Sequence, residues 1–313
     1  MRNQRVSQPG YVGRLAPTPS GWLHSGHACT FALASLRARQ AGGLLRLRIE
    51  DLDLNRCKRE YVDGILDDLE WLGIGWDPQP GYARGFVQQS EQLDRYQQEL
   101  VRWARAGWIY PSQVSRRELR EHPSAQLSPD GEIVFPPELR EAECLQDWTP
   151  DSDGNCFRMN WRWKVPFGEA VRFHDLRSGS KSYVAGRDFG DFLVWSKDGM
   201  PAYEMAVVLD DIQGGINEVV RGEDLLVSTA RQLLVYEKLG CPPPSWYHGP
   251  LVKDAKGVRL AKSFDSESIR SYRERGWTAV QFWEKIKAMG FPEVADWMDN
   301  CWDGSEARRD DRV

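Results

Sequence analysis

The spacing of apolar residues predicts alternating strands and helices in the first hundred residues of the chain. Residues 11–17 are predicted to form a short strand that ends in a Pro/Ser/Gly turn, and residues 44–49 alternate apolar and basic side chains as a strand does. Helices are predicted over 27–40, 58–72 and 91–106, where apolar residues recur at helical spacing. This order predicts an opening βαβ unit with a parallel sheet.

The middle and the end of the chain follow other patterns. In 111–186, Pro, Gly and charged residues interrupt short alternating segments, which is typical of an inserted subdomain. The α/β pattern then resumes, with strands predicted at 192–195, 206–209 and 218–220 and a helix at 227–239. A helical stretch over 266–289 precedes a charged tail at 305–313.

Composition narrows the class of protein. The 313 residues are 41% hydrophobic, enough for one large domain or two modest ones with a core, and no apolar run approaches the ~20 residues of a membrane span. The first ten residues lack the apolar stretch of a secretory signal, so we expect a cytoplasmic protein. The six cysteines are too scattered for a disulfide scaffold. A net charge of −5 excludes an overall basic surface for nucleic acid, so any such binding would use local basic patches.

The turn between the first predicted strand and helix is the first candidate site. Residues 13–27 read Gly-Arg-Leu-Ala-Pro-Thr-Pro-Ser-Gly-Trp-Leu-His-Ser-Gly-His. A strand that turns onto a helix N-terminus presents backbone N–H groups and the positive end of the helix dipole, which suit a phosphate. His24 and His27 can face the same anion across Gly26, which has no side chain to block the approach. The alternative is that both are ordinary surface or cap histidines.

Three further segments occupy positions where α/β sheets bind ligands. Glu50 and Asp53 follow the predicted strand 44–49, and residues 221–224 (Arg-Gly-Glu-Asp) follow the strand at 218–220. Residues 253–263 form a basic, glycine-containing loop. Taken singly, the acidic segment and the loop could equally be solvated turns. The functional interpretation therefore rests on the order and separation of all four segments.

These segments together resemble the catalytic half of class I glutamyl-tRNA synthetases, and in particular their shorter relatives, the glutamyl-Q tRNA(Asp) synthetases. The resemblance runs from about residue 11 to 290. His24-Ser25-Gly26-His27 is similar to the HIGH motif of that family, and Arg259-Leu-Ala-Lys262-Ser263 is similar to its KMSKS loop. Further blocks that match lie at 13–28, 48–53, 198–211 and 220–225.

The resemblance implies an α/β fold, the class I aminoacyl-tRNA synthetase fold with a Rossmann-type parallel sheet. It implies a discontinuous catalytic domain over 11–110 and 187–265. An α+β subdomain of the acceptor-binding type would be inserted at 111–186, and a short helical C-terminal segment and tail would occupy 266–313.

The resemblance also implies an activity: ATP- and Mg²⁺-dependent activation of L-glutamate to glutamyl-adenylate, then transfer to the queuosine base in the anticodon loop of tRNA(Asp). Arg14 and Arg221 would pair with the substrate carboxylates and Glu50 with its ammonium group. Tyr203 would be a hydroxyl donor or wall, with Ala16 and Thr18 lining the turn. His24, His27 and Lys262 would be the catalytic cations at the ATP phosphates, and further ATP contacts would come from Gly26, Glu223 and Arg259.

Two features depart from the family pattern. In the KMSKS-like loop, Arg259 and Ala261 replace a lysine and a serine, which predicts slower or differently tuned activity because arginine and lysine hold phosphate differently. The four zinc-ligand positions of relatives hold residues that cannot replace the usual ligands, so we expect no structural zinc and packing by aromatic side chains instead. These positions are Ser112, Val114, Phe135 and Leu139, and the aromatic candidates are Trp148, Phe157, Trp161, Trp163 and Phe167.

The inserted segment carries the candidate nucleic-acid patch. Basic residues interleaved with aromatic ones can pair with phosphates and stack on bases. An amphipathic strand with arginines on its solvated face explains the same pattern equally well. The candidate tRNA contacts are Arg116, Arg117, Arg158, Arg162 and Lys164.

Three functions remain open at the level of sequence. The first is the glutamyl-Q-type activity, favoured because only about fifty residues follow Lys262, too few for an anticodon-binding domain. The second is a diverged paralogue that passes activated glutamate to a non-tRNA acceptor, suggested by the altered loop and zinc positions. The third is a non-catalytic tRNA-binding module, which the joint presence of the candidate catalytic residues disfavours. We expect a monomer without membrane contact.

Overall fold

The computed structural model of the protein describes residues 10–140, 155–251 and 267–302. The strands in these ranges are β1 (Val12–Leu15), β2 (Leu44–Ile49), β3 (Val87–Gln88), β4 (Ile109–Ser112), β5 (Gln126–Leu127), β6 (Ile133–Val134), β7 (Asn160–Trp163), β8 (Ala170–Asp175), β9 (Gly179–Val184), β10 (Leu193–Ser196), β11 (Met200–Pro201), β12 (Glu218–Gly222) and β13 (Ser245–Gly249). The helices are α1 (Ser25–Gln40), α2 (Arg59–Trp71), α3 (Leu93–Arg105), α4 (Arg116–Glu121), α5 (Tyr203–Gln213), α6 (Leu226–Leu239), α7 (Ile269–Glu274), α8 (Ala279–Ala288) and α9 (Pro292–Asn300). Within the described ranges, none of these helices combines the length and apolarity that crossing a membrane requires.

Packing divides the chain into two compact units. Of the described residues, the first unit contains those up to Gln88, Gly214–Gly222 and those from Gly249 onward, and the second contains those within Gln89–Gln213 and Glu223–His248. This division differs from the sequence-predicted boundaries, because α3 and α5 pack against each other and against strands β4 and β10 of the second unit. The catalytic and inserted domains named from the sequence therefore stay a prediction.

The first unit is organised around a parallel sheet. Its strand order is β1-β2-β3, with Arg14 of β1 opposite Arg46 of β2. Helix α1 connects the first two strands and packs on β1, which confirms the predicted βαβ opening. The helix ends at Gln40, and Gly42 and Gly43 follow it; a Cβ on Gly43 would lie 2.4 Å from the carbonyl oxygen of Tyr11.

The C-terminal part of the first unit is helical, but not as one stretch. The predicted helical stretch over 266–289 contains two helices, because the chain turns between α7 and α8 at Gly276, whose φ of +76° interrupts a helix. A further helix, α9, was not predicted. Trp283 and Trp297 are fully buried here, and the Trp283 indole donates a hydrogen bond to the carbonyl of Leu72 at 3.1 Å.

The second unit combines antiparallel strands with helices α3, α5 and α6. One sheet has the order β11-β10-β7-β4, and β8 pairs with β9 as a hairpin. Its core contains the predicted Trp161 and Trp163, both fully buried, whereas Phe157 and Phe167 are half-buried. Trp148 lies outside the described residues.

One predicted strand of this unit is wrong. The apolar run at 206–209 lies inside helix α5, whose residues from Glu204 to Asp211 are all buried. A helix that is buried on every side carries a continuous apolar run, and such a run does not by itself distinguish a helix from a buried strand.

Candidate active site

The two predicted phosphate-site histidines cap the N-terminus of helix α1. The Nδ1 atom of His24 accepts a hydrogen bond from the backbone N–H of Gly26 at 3.1 Å, and Nδ1 of His27 accepts from the backbone N–H of His24 at 3.2 Å. The two rings lie with their centroids 3.8 Å apart. The histidines are therefore reciprocal caps of the helix.

This capping arrangement fixes the chemistry of the two rings. A neutral imidazole whose Nδ1 accepts a hydrogen bond carries its proton on Nε2, so the hydrogen-bond network assigns that tautomer to His24 and His27. Each Nε2–H is then a donor at the positive end of the helix dipole. From the sequence, a capping role and a functional role for these histidines were alternatives; the structure shows that both residues cap the helix.

Two buried arginines come from neighbouring strands of the same unit. Arg14 on β1 is 5% exposed and Arg221 on β12 is 4% exposed. The Arg14 guanidinium donates to the carbonyl of Val220 at 2.8 Å, which ties it to the residue before Arg221. A planar guanidinium can bind a carboxylate through two parallel hydrogen bonds, so the two arginines suit a ligand with carboxylates.

Glu50 follows strand β2 and is held by Arg48. One oxygen of its carboxylate accepts hydrogen bonds from Nε and Nη2 of Arg48 at 3.2 and 2.9 Å. The Arg48 side chain is 4% exposed and that of Glu50 11% exposed, so the pair is shielded from solvent. The backbone N–H of Glu50 also donates to the carbonyl of Pro17, which connects Glu50 with the Pro/Ser/Gly turn.

The first unit thus holds most of the predicted substrate residues. Besides the arginines, the histidines and Glu50, it contains half-buried Ala16, exposed Thr18 and half-buried Gly26. Tyr203 and Glu223 belong to the second unit, where Tyr203 is 38% exposed and Glu223 pairs with Arg177 at 3.4 Å. Arg259 and Lys262 lie outside the described residues.

Sequence analysis assigned no role to Arg48 or Gln88. Arg48 positions Glu50, and the Gln88 side-chain amide donates to Oδ2 of buried Asp51 at 2.7 Å. The signal for Arg48 was its place two residues before a candidate site carboxylate, in a strand that alternates apolar and basic side chains. Gln88 gave no signal, because β3 is only two residues long and far along the chain.

Three of the four positions at which the family resemblance implies zinc ligands in relatives share a hydrophobic cluster in the second unit. Phe135 is buried with Tyr110 and Leu119, and Val114 and Leu139 pack against them. Ser112 is buried on β4, with no hydrogen-bond partner for its hydroxyl among the described residues. Apolar side chains offer zinc no ligand, so this set does not fit a metal; the absence of a structural zinc from the whole chain stays a prediction.

The candidate tRNA cations are placed differently from one another. Arg117 and Arg158 are exposed, Lys164 is half-buried, and the side chain of Arg116 lies outside the description. Arg162 does not fit the patch, because its guanidinium lies 4.3 Å from the centroid of the Phe135 ring and donates to the carbonyl of Asp191 at 3.0 Å. Its charge is used within the fold.

A parallel sheet, a histidine-capped helix and buried arginines at strand ends are the architecture of a nucleotide-dependent α/β enzyme. The chain belongs to the family of class I tRNA synthetases for glutamate and glutamine, whose catalytic-domain model matches residues 11–305. The fold class and the ligase class inferred from the sequence are thereby confirmed.

Two curated relatives are similar over most of this chain. A glutamyl-Q tRNA(Asp) synthetase from Nitratidesulfovibrio vulgaris is 41% identical over 270 residues, which are 86% of this chain and 82% of the relative. A glutamate–tRNA ligase from Aquifex aeolicus is 34% identical over 89% of this chain and 57% of the relative.

A solved structure shares the fold. The crystal structure of a glutamate tRNA ligase from Elizabethkingia meningosepticum, in complex with its amino acid, superposes with a TM-score of 0.65 at 27% identity. The match covers 85% of this chain and 53% of that protein, so the chain spans about half the length of the solved relative.

Proposed function

We propose that this protein activates L-glutamate with ATP and transfers it to the queuosine base in the anticodon loop of tRNA(Asp). In the first step, an oxygen of the glutamate α-carboxylate bonds to the α-phosphorus of ATP and pyrophosphate leaves, giving glutamyl-adenylate. In the second step, a nucleophilic group of the queuosine base attacks the activated carbonyl carbon and AMP leaves. Each step exchanges one bond for another, without any redox change.

The observation that carries this proposal is the pair of buried arginines in the unit that also holds Glu50. Glutamate has two carboxylates and one ammonium group. Arg14 and Arg221 offer two guanidinium groups for the carboxylates, and Glu50, held by Arg48, offers a carboxylate for the ammonium group. Ala16 and Thr18 line the adjoining turn, and we assign Tyr203 to the same substrate. Charge-assisted pairs in a desolvated site favour this ligand over neutral amino acids.

The histidine-capped end of α1 suits the ATP phosphates. Nε2 of His24 and Nε2 of His27 are donors at a helix N-terminus, and Gly26 leaves the backbone there accessible. No general base is needed, because the attacking carboxylate is already ionised; the protein orients the reactants and stabilises charge that develops on the phosphate oxygens. We assign Lys262, Arg259 and Glu223 to the same nucleotide, and Mg²⁺ would supply further charge neutralisation.

The acceptor is proposed from the relatives and from the exposed cations of the second unit. The relative from Nitratidesulfovibrio vulgaris carries the name of the queuosine-directed activity, and it is more similar to this chain than the ligase from Aquifex aeolicus. The exposed Arg117 and Arg158, together with half-buried Lys164 and with Arg116, remain candidates for contacts with the RNA backbone, whereas Arg162 is withdrawn from that role.

Glutamate-dependent ATP–pyrophosphate exchange tests the first step, and tRNA glutamylation tests the second. The sharpest comparison uses tRNA(Asp) with queuosine and the same tRNA with guanine at that position. We expect exchange with glutamate and labelling of the queuosine-containing tRNA alone.

Other outcomes would assign the protein differently. Labelling of the 3′ adenosine of tRNA(Glu) would identify a glutamate–tRNA ligase. Exchange without labelling of any RNA in total cellular tRNA would favour a non-tRNA acceptor. A lack of exchange above background would leave a binding function.

A further inference from the structure

A cavity of about 680 Å³ lies in the first unit, between helices α2 and α7 and beside Trp22. Its α2 wall contains residues at positions 60, 63, 64, 67, 68 and 71, which recur at helical spacing and therefore share one face. Among the described residues, none of those assigned above to glutamate or ATP lines this cavity. It is a separate feature of the fold.

An aromatic surface forms part of the wall. The Trp22 ring lies so close to α2 that a Cβ on Gly64 would come within 2.4 Å of its Cζ3 atom, so glycine at this position sets the place of the indole. Trp71 lines the cavity two turns further along the helix. The guanidinium of Arg270 lies 4.2 Å from the Trp22 ring centroid, which shows that this ring accepts a cation on its face.

The charge of the lining is negative even after its internal ion pairs. In the described part of the chain, five carboxylates line the cavity against two guanidinium groups, those of Arg270 and Arg273. Both guanidinium groups are already engaged, Arg270 with Glu274 at 2.7 Å and Arg273 with Asp68 at 2.8 Å. Asp67 also lies 3.8 Å from Arg273. Among the residues that the structure describes, Glu60 and Asp63 make only long, solvent-exposed pairs with Lys58 at 3.6 Å and Arg59 at 3.9 Å, two cations that do not line the cavity.

Asp68 adds a buried acceptor to this wall. Its side chain is 1% exposed, and its Oδ1 atom accepts the hydrogen bond from Arg273. Its Oδ2 atom has no hydrogen-bond partner among the described residues, although it is buried. A buried carboxylate oxygen without a donor is costly, and a donor that enters the cavity would offset that cost.

We propose that this cavity binds a linear aliphatic polyamine. Asp63 and Asp67 are one turn apart on α2, a rise of about 6 Å, which suits ammonium groups separated by short methylene chains. The methylene chain would lie against Trp22 and Trp71, and the ammonium groups would donate to the carboxylates. A divalent metal ion is far smaller than this cavity and gains nothing from the indole surface, so the geometry favours the organic cation.

Isothermal titration calorimetry of the full chain with spermidine tests the proposal. We expect one saturable site in the wild type. Asp63→Asn/Asp67→Asn should weaken binding about tenfold, because each partly exposed ion pair contributes about threefold. Glu138→Gln/Glu237→Gln removes two exposed carboxylates away from the cavity and should leave the affinity within about twofold.

Gly64→Ala keeps every charge but displaces Trp22, so it distinguishes a formed cavity from a diffuse negative field. We expect it to weaken spermidine binding several-fold, while glutamate-dependent exchange by all these variants stays at the wild-type rate and reports that they are folded. No saturable binding by the wild type, equal losses in the control pair, unchanged binding by Gly64→Ala, or stoichiometric displacement of spermidine by Mg²⁺ would each overturn the proposal.

Discussion

The guanidinium group of Arg48 donates two hydrogen bonds to a single oxygen of Glu50, from Nε at 3.2 Å and from Nη2 at 2.9 Å. Both side chains are nearly buried. Arg48 lies near the end of strand β2, and Glu50 comes directly after that strand. These two hydrogen bonds fix the orientation of the Glu50 carboxylate. The position of its second oxygen is fixed as well, because the carboxylate is rigid and planar. Arg48 is therefore a positioning residue for the proposed ammonium site.

Replacing Arg48 tests this relationship. Arg48→Ala removes charge-assisted bonds of about 1.5–3 kcal/mol, so we expect kcat/KM for glutamate in pyrophosphate exchange to fall at least about tenfold. Arg48→Lys keeps the charge but not the planar fork and should give an intermediate loss. KM for ATP should change little, because the pair acts on the amino acid.

Arg46 on the same strand provides the matched control. Its guanidinium donates to the carbonyls of Asp77 and Pro78, which are not among the proposed substrate residues. Arg46→Ala should leave KM for glutamate within about twofold. A loss equal to that of Arg48→Ala would mean that β2 tolerates neither change and that Arg48 has no specific role.

His24→Asn separates the capping role of His24 from its proposed role at phosphate. Asparagine is a good N-cap, so the melting temperature should stay close to that of the wild type. Exchange should fall on the order of 10²-fold, because the Nε2 donor is lost. His122 accepts the backbone N–H of Ser124 in the second unit much as His24 accepts that of Gly26. His122→Asn is thus the control, and it should retain full exchange activity.

Asp68 should make stability depend on pH in an unusual direction. Burial raises the pKa of this carboxyl to about 6, although the hydrogen bond and charge of Arg273 oppose the rise. The folded state therefore holds a proton between about pH 4 and pH 6 that the unfolded state releases. Stability from this group is complete below pH 4 and is lost as the pH rises through 6, by up to about 3 kcal/mol.

Urea unfolding of wild type and Asp68→Asn between pH 4 and pH 7.5 measures this effect. Asparagine cannot ionise, so the free energy of unfolding of the variant should rise relative to wild type as the pH increases. The difference between the two proteins matters, because other carboxyls change the stability of both alike. A difference that is constant across this range would contradict a raised pKa for Asp68.

The hydrophobic cluster around Phe135 should stabilise its part of the second unit without a metal ion. Phe135→Ala removes a ring that is 1% exposed, so we expect a loss of about 3–5 kcal/mol in the free energy of unfolding. Leu127→Ala, at a side chain that is 71% exposed, should change it by less than about 0.5 kcal/mol. A zinc chelator should leave the melting temperature unchanged. Stoichiometric zinc in the purified protein, with unfolding on chelation, would refute this expectation.

Several elements followed directly from the local pattern. Strand β2 was predicted with the bounds observed, and helices α1, α2, α3 and α6 within two residues at each end, because amphipathic spacing and glycine stops are local signals. The run at 206–209 failed for the opposite reason: helix α5 is buried on all sides and has no polar face to reveal its period. The break at Gly276 and helix α9 were also missed, since short helices carry too few turns to show a period.

The sequence by itself determined the chemistry of this protein: the order of strands and helices around a parallel sheet, the motifs that define its family, and the arginines, histidines and glutamate that suit an acidic amino acid and ATP. Only the tertiary structure decided how those groups are used. In it, His24 and His27 cap helix α1 reciprocally, with Nε2 as the donor, and Arg48 hydrogen-bonds to Glu50. Arg162 packs against Phe135 and donates to the carbonyl of Asp191. The tertiary structure also brought α7 against α2 to form an acidic cavity. Such pairings join residues through packing and hydrogen bonds that no local pattern encodes, because partners far apart along the chain meet only when the fold is complete.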